Sequence, residues 1–398
     1  MSYQRNIGKL YVFSALQKML FPMAIITLFW KDEIGLNLTE ILLLQSIFSA
    51  AAVLLEYPSG YISDHIGYRS ALTVATLFGT AGWGVYTAAH SFTGVLIAEI
   101  LLGIGMSFIS GSDSALLYES LRMEGREGLY SRYEGRMNGF AQTSEALGAL
   151  FAGVLYARAP LLPFVLQIVV WVLALSVTRT MREPPREKAL FARTHLSEAI
   201  GIARYAFVEN PSLRATILLN TLLGLASFYP VWLIQPYMQQ HSVPLAWFGP
   251  VWTGANLMVA IFALASHRAQ GCLGERGMVL LCFLLILAGY FGLGITGGLF
   301  GFLFYYLLTC MRGLRGPMFL NYTQKESPSA NRASILSLQT LVFRVAFIVT
   351  GPLVGRLADR MGVQGSFHVL LYAFLILLPP FSFLFLRNVR SEKGAPGC

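Results

Sequence analysis

Charge is what this sequence has least of. Of its 398 residues, 12% are Asp, Glu, Lys or Arg and 55% are apolar. Water-soluble domains carry about a quarter charged residues, so a soluble enzyme of ordinary composition is excluded. A disordered chain and a coiled coil need more charge than this and are excluded too. Cysteine is scarce. Cys272, Cys282, Cys310 and Cys398 show no C-x-x-C spacing and no histidine at metal-ligand distance, so they read as small membrane residues and no metal is expected. Catalytic signatures are missing as well. The absence of a G-x-x-x-x-G-K-[ST] loop excludes direct use of ATP, and neither H-E-x-x-H nor G-x-S-x-G occurs. The sequence predicts no enzyme, no cofactor and no nucleic-acid partner.

What the chain has instead is apolar runs long enough to cross about 30 Å of hydrocarbon, each of roughly 20 residues. They fall near 10–30, 38–62, 70–89, 92–118, 137–157, 161–178, 212–236, 248–266, 278–296, 298–320, 334–355 and 366–386. The expectation is an all-α integral membrane protein of about twelve helices. Residues 1–10 are polar and basic, and no small-residue cleavage site follows, so the first run is expected to stay as a helix. An even number of spans puts both termini on one side. Counting Lys and Arg with that side cytoplasmic places 23 of the 29 inside, Arg312 and Arg315 among them, and four outside. The formal charge of +9 is then mostly topology, with anionic lipid as its counter-surface. A multi-pass protein of the inner (cytoplasmic) membrane, working as a monomer, is expected.

The longest polar stretch divides the chain into an N-terminal six-helix bundle (1–180), a cytoplasmic linker (181–211) and a C-terminal six-helix bundle with a short tail (212–398). Within the linker Leu196, Ala199, Ile200, Ala203 and Phe207 keep helical spacing, which predicts an amphipathic helix lying on the membrane surface. The halves show a faint repeat at an offset of about 203, pairing Ser63 with Ser266, Gln17 with Asn220 and Gly148 with Gly351. Duplicated bundles place a solute site near the bilayer midplane.

After the second run the chain reads Gly60-Tyr61-Ile62-Ser63-Asp64-His65-Ile66-Gly67-Tyr68-Arg69. This resembles the G-x-x-x-D-[RK]-x-G-[RK]-[RK] signature of the major facilitator superfamily, with His65 and Tyr68 as departures. Glu56-Tyr57-Pro58-Ser59-Gly60 resembles the E-x-P-[ST]-G lead-in of bacterial members. Ser110-Gly111-Ser112-Asp113 through Leu121 is similar to a stretch of one bacterial subgroup, and Gly351-Pro352-Leu353-Val354-Gly355 resembles a G-P-x-x-G element of the family. The resemblance implies two six-helix bundles working by alternating access. It also implies a conformational latch at Gly60, Asp64, Gly67 and Arg69, where two glycines permit a tight turn and Asp64 and Arg69 lie at the membrane edge, in an ion pair or a helix-end contact. In the second half only Ser266-His267-Arg268 with Gly271 and Gly274 stand there. Where the family often carries an Arg in the fourth span, this chain has Glu99.

An ionisable group deep in a bilayer is a functional candidate by default. Glu145, Glu56, Asp113 and Glu99 are the candidates for proton coupling. Glu145 leads, because Asn138, Gln142 and Glu145 form one helical stripe; Glu99 is placed near the outer surface and ranks below it. Gln45, Ser49 and Glu56 form a second stripe. Arg344, Lys18, Gln17, Asn220, Gln142 and Asn138 are candidates for binding solute, with Phe228, Tyr229 and Trp232 as a vestibule for amphipathic ligands. Bracing of the latch by Asp113 and Glu56, a structural Glu145 bridge, and Arg344 as a counter-ion for internal acids are the plainer readings. The first functional expectation is proton-coupled export of a small amphipathic compound, driven by the proton motive force. The alternative is a proton-coupled carrier of an anionic metabolite anchored by Arg344.

Overall fold

The computed structural model describes residues 3–185, 196–328 and 331–388, and among them there is no strand. The helices run in order as α1 (Gln4–Lys18), α2 (Ile26–Leu28), α3 (Leu38–Ile66), α4 (Tyr68–Ala88), α5 (Phe92–Ile109), α6 (Ser112–Arg122), α7 (Tyr130–Leu150), α8 (Ala152–Arg158), α9 (Leu162–Thr180), α10 (Leu196–Arg204), α11 (Pro211–Gln240), α12 (Phe248–Ile295), α13 (Leu303–Glu326) and α14 (Arg332–Asn388). By length and composition, six stretches are apolar enough to cross a membrane: Leu38–Glu56, Phe92–Arg122, Leu162–Thr180, Pro211–Gln240, Leu245–Ile295 and Ser334–Asn388. The last two each hold two helical stretches joined at a glycine of positive φ, Gly274 and Gly362.

The chain divides into two compact units. One is Met1–Ala192 with Pro244–Thr253, the other Arg193–Val243 with Gly254–Cys398. In the first unit α5 packs on α3 and α4, α4 on α9, and α1 on α7 and α9. In the second α11 packs on α13 and α14. The Pro244–Thr253 segment, expected as the start of a second-bundle span, packs in the first unit: Thr253 Oγ1 donates to the Ala146 carbonyl at 3.1 Å.

The first apolar run is not one helix. It breaks after Lys18 and resumes at Ile26. Pro22 has no N–H to give a helix, and the freed backbone is satisfied from outside. The Phe21 N–H donates to Gln167 Oε1 on α9 at 3.0 Å, and Gln167 is fully buried. Broken helices survive in a bilayer only with such substitutes. In the second unit Pro230 leaves the Ala226 carbonyl without its helical donor, and the Tyr290 hydroxyl supplies one at 2.7 Å.

The linker packs on the second unit at its C-terminal end. Beyond α10 a π turn runs Tyr205–Glu209. Ala206 is buried with Leu213, Ile217 and Ile335, and Ile202, Tyr205 and Phe207 pack around them. The end of the linker around Ala206 is therefore covered by α11 and α14, while Ile200 of α10 is exposed. Asn210 Nδ2 donates to the Tyr205 hydroxyl at 3.3 Å, and its Oδ1 accepts from the Leu213 N–H at 2.9 Å, capping α11. The charged run Arg186-Glu187-Lys188 lies outside the described residues.

The repeat is real in geometry but at another offset. Ser59 Oγ donates to the Ser107 carbonyl at 2.8 Å, and Ser266 Oγ to the Leu314 carbonyl at 2.8 Å. Gly67 and Gly274 each start the following helix with positive φ. A Cβ on Gly82 would press on Leu102, and one on Gly289 on Leu308. These pairs register Ser59, not Ser63, with Ser266, and they set Arg69 against Arg276.

Candidate functional site

The acids and the arginines of the interior belong to different units. In the first unit Glu99, on α5, is 4% exposed. The Tyr86 hydroxyl of α4 donates to one of its oxygens, and Gln45 Nε2 of α3 to the other at 3.2 Å. Trp83 stacks on Tyr86 at 5.3 Å and Phe164 covers it at 5.5 Å. Glu99 is thus a core residue with two neutral donors. Tyr86 is the partner that sequence reasoning misses, since it sits on a neighbouring helix.

A second acidic cluster gathers where α6 begins. Asp113 accepts the Ser114 N–H at 2.7 Å, and Ser114 Oγ donates to Glu134 Oε1 on α7 at 2.9 Å. Lys18, at the break in the first run, is the cation that bears on Asp113. Gln17 is buried and its Nε2 reaches Met106 Sδ at 3.2 Å. Glu145 is half-buried near the end of α7, whereas Asn138 and Gln142 of the same stripe are exposed. The Gln45 stripe divides likewise: Gln45 faces Glu99, and Glu56 is exposed.

The second unit carries the opposite charge. Its sequence has no Asp or Glu between Glu209 and Glu275, between Glu275 and Glu326, or between Glu326 and Asp359. Arg312 and Arg315 lie at the middle of α13, not in a cytoplasmic loop. Arg315 Nη1 donates to the Asn220 carbonyl at 2.8 Å and to Asn220 Oδ1 at 2.7 Å. Arg312 Nη2 donates to the Ser227 carbonyl, and its Nε reaches Ser227 Oγ at 3.4 Å. Both arginines thus use α11 backbone carbonyls as partial counter-charges. Arg344 lies mid-way along the first stretch of α14. Among the described residues no carboxylate pairs with Arg312, Arg315 or Arg344. Arg315 Nε and Arg344 Nη1 are buried with no hydrogen-bond acceptor. A buried cation with an unmet N–H is costly unless an acceptor arrives.

Beside these arginines stands an aromatic cluster. Phe228 meets Phe343 at 5.5 Å, Phe347 at 4.8 Å and Trp232 at 6.2 Å, all edge to face. Tyr229 is a core residue whose hydroxyl donates to Thr350 Oγ1 at 2.7 Å.

In the loop motif Arg69 makes a helix-end contact in place of an ion pair. The Arg69 guanidinium donates to the Arg179 carbonyl at the end of α9, at 2.7 Å. Glu183 takes the position of an N-cap: its two oxygens accept the Tyr68 N–H at 2.9 Å and the Arg69 N–H at 2.8 Å. Gly67, with φ of 110°, allows the turn that exposes those N–H groups. Asp64 is exposed and accepts from the Tyr68 hydroxyl at 3.4 Å, while Gly60 lies on the last turns of α3.

The model of the Major Facilitator Superfamily matches residues 10–350. An uncharacterized MFS-type transporter of Bacillus subtilis (strain 168), YxaM, is 22% identical over 393 residues, with 93% of each chain covered. Among solved structures, a point mutant of the nucleoside transporter NupG superposes with a TM-score of 0.82 at 13% identity, covering 95% of this chain and 99% of that one. A bacterial homolog of the human lysosomal transporter Spinster, inward-facing and unoccupied, gives 0.75 at 13% identity, with 98% and 99% covered. A point mutant of the peptide transporter POT gives 0.73 at 15% identity, with 96% and 95% covered.

Proposed function

The chain belongs to the Major Facilitator Superfamily and is a multi-pass membrane transporter, not an enzyme, and from that premise we propose that it carries an organic anion coupled to protons. The observation behind this reading is the second unit's interior. Three arginines lie within its helices, no carboxylate among the described residues pairs with them, and two of their N–H groups want an acceptor. Arg stays charged at any working pH. A carboxylate or phosphate on the solute supplies what the protein withholds, with Arg315 and Arg344 as its anchors and Asn220 holding Arg315 in place. Glu145, Asp113 and Glu99 of the first unit are the proton carriers in this reading, with Glu145 first.

The aromatic cluster favours a second reading, proton-driven export of an amphipathic compound past Phe228 and Trp232. In both readings the basic loops and both termini face the cytoplasm, the protein sits in the inner membrane, and it works as a monomer. The turn at Gly60, Asp64, Gly67 and Arg69 holds one conformation through Glu183 and Arg179.

A thermal-shift series on the purified protein separates the two. A ligand at 100 times its Kd stabilises by about 2.7 kcal/mol. Organic carboxylates should raise the Tm of the wild type and leave Arg315→Gln unmoved. Stabilisation by lipophilic amines alone, with no response to any carboxylate, would overturn the anion reading in favour of the second.

A further inference from the structure

We propose that the outward face of the linker helix rests on the phospholipid surface, at the boundary between headgroups and acyl chains. The proposal is independent of which solute the protein carries. It starts from burial along α10 and the π turn that follows. Ile200, Gly201, Arg204, Val208 and Glu209 are exposed. Their spacing, i, i+1, i+4, i+8 and i+9, marks one face of a helix. The other face, with Ile202, Tyr205, Ala206 and Phe207, packs on Leu213, Ile217 and Ile335 of the second unit. The segment is therefore fixed on one side and exposed on the other.

The exposed face has a mixed chemistry. Ile200 is 59% exposed and Val208 is 68% exposed. Between them stands Arg204, whose Nε meets Glu209 Oε1 at 3.1 Å, with both side chains more than half exposed. Water receives the ion pair and rejects the two aliphatic side chains. Hydrocarbon does the reverse. The boundary layer of a bilayer accepts both within the thickness of one helix, with the arginine stem along apolar surface and its head among the headgroups.

Chain connectivity puts that boundary within reach. A single residue, Asn210, separates the π turn from Pro211, where the span Pro211–Gln240 begins. Asn210 is itself spent on capping that span, since its Oδ1 accepts the Leu213 N–H. Val208 is thus held at the mouth of a membrane helix. Ile200 lies about 12 Å further along the same face, at 1.5 Å of rise per residue. This continuity with a span favours lipid over a soluble protein partner as the occupant of the face.

The test uses the full-length protein with its four native cysteines replaced by serine. Single variants Ile200→Cys, Val208→Cys and, as a reference in the exposed turn after α6, Glu127→Cys are labelled with bimane. Each is placed in nanodiscs of phosphatidylcholine and phosphatidylglycerol. Quenching by lipid with a nitroxide near the top of its acyl chain is compared with quenching by iodide in the water. The labels at 200 and 208 should emit to the blue of the label at 127. The nitroxide lipid should quench both, and both should lose most of the iodide quenching seen at 127. Iodide quenching at 200 equal to that at 127 would put the face in water and overturn the proposal. Protection at 200 and 208 from both quenchers would mean that protein covers the face, which overturns it as well. So would lipid quenching at 208 alone, because a residue beside a span meets lipid on any account.

Discussion

At the residue scale the account turns on two arginines that composition hides. Counting Lys and Arg for topology assumes that such charges lie outside the hydrocarbon, so the run near 298–320 gives up Arg312 and Arg315 to the loop beyond it. The helix continues through both to Glu326. What makes this tolerable is not visible in sequence. Two backbone carbonyls of α11, at Asn220 and Ser227, turn toward the guanidinium groups. Arg344 was legible because it stands alone in an apolar run, and Asn220 because it is polar in one. Glu99 was legible as an acid within a span, but its donors Tyr86 and Gln45, which come from other helices, were not. The geometry at Arg315 gives a direct prediction. Arg315→Lys keeps the charge but cannot both bond Asn220 twice and offer a planar donor edge. Carboxylate affinity should fall by about tenfold or more, the scale of one lost charge-assisted hydrogen bond, in an equilibrium binding measurement. Affinity within about twofold of wild type would mean that only charge matters there.

At the scale of elements, the apolar runs predict the helices well and their interruptions less well. Pro22 was legible as a kink, but the chain breaks outright from Met19 to Ile25, because Gln167 and the bare Gly148 are there to receive it. A Cβ on Gly148 would come within 2.9 Å of the Leu20 nitrogen. The linker helix was legible as amphipathic, yet periodicity cannot say whether lipid or protein covers the apolar face. Here Leu213, Ile217 and Ile335 pack on the end around Ala206, and Ile200 stays exposed. Sequence identities set the repeat out of register, because they are few and the features that truly match are turns and close contacts. Close approach of α12 and α13 depends on Gly313, between the two arginines. A Cβ there would collide with the Val259 carbonyl oxygen. Gly313→Ala should cost about 1–3 kcal/mol through backbone separation, read as a lowered Tm in detergent. An unchanged Tm would show that the helices part without penalty.

At the scale of the whole molecule, family and all-helical fold were legible from the loop motif and the apolar runs, while the division of charge between the units was not. Acids cluster in one unit and arginines without a carboxylate partner in the other, and a sequence read span by span shows neither as a set. That division is the basis for assigning protons to the first unit and the anion to the second. Glu145→Gln should then abolish flux driven by a pH gradient while leaving carboxylate binding intact, as compared by transport and by thermal shift on the same preparation. Loss of both together would make Glu145 structural.

The most direct measurement is uptake, into proteoliposomes holding the purified protein, of an organic carboxylate that stabilises it in the thermal-shift series, with and without an imposed pH gradient at zero membrane potential. The account predicts accumulation above equilibrium only with the gradient, a matching movement of protons reported by an internal pH dye, and loss of both in Arg315→Gln. Carboxylate flux that ignores the pH gradient, or persists unchanged in Arg315→Gln, would contradict it.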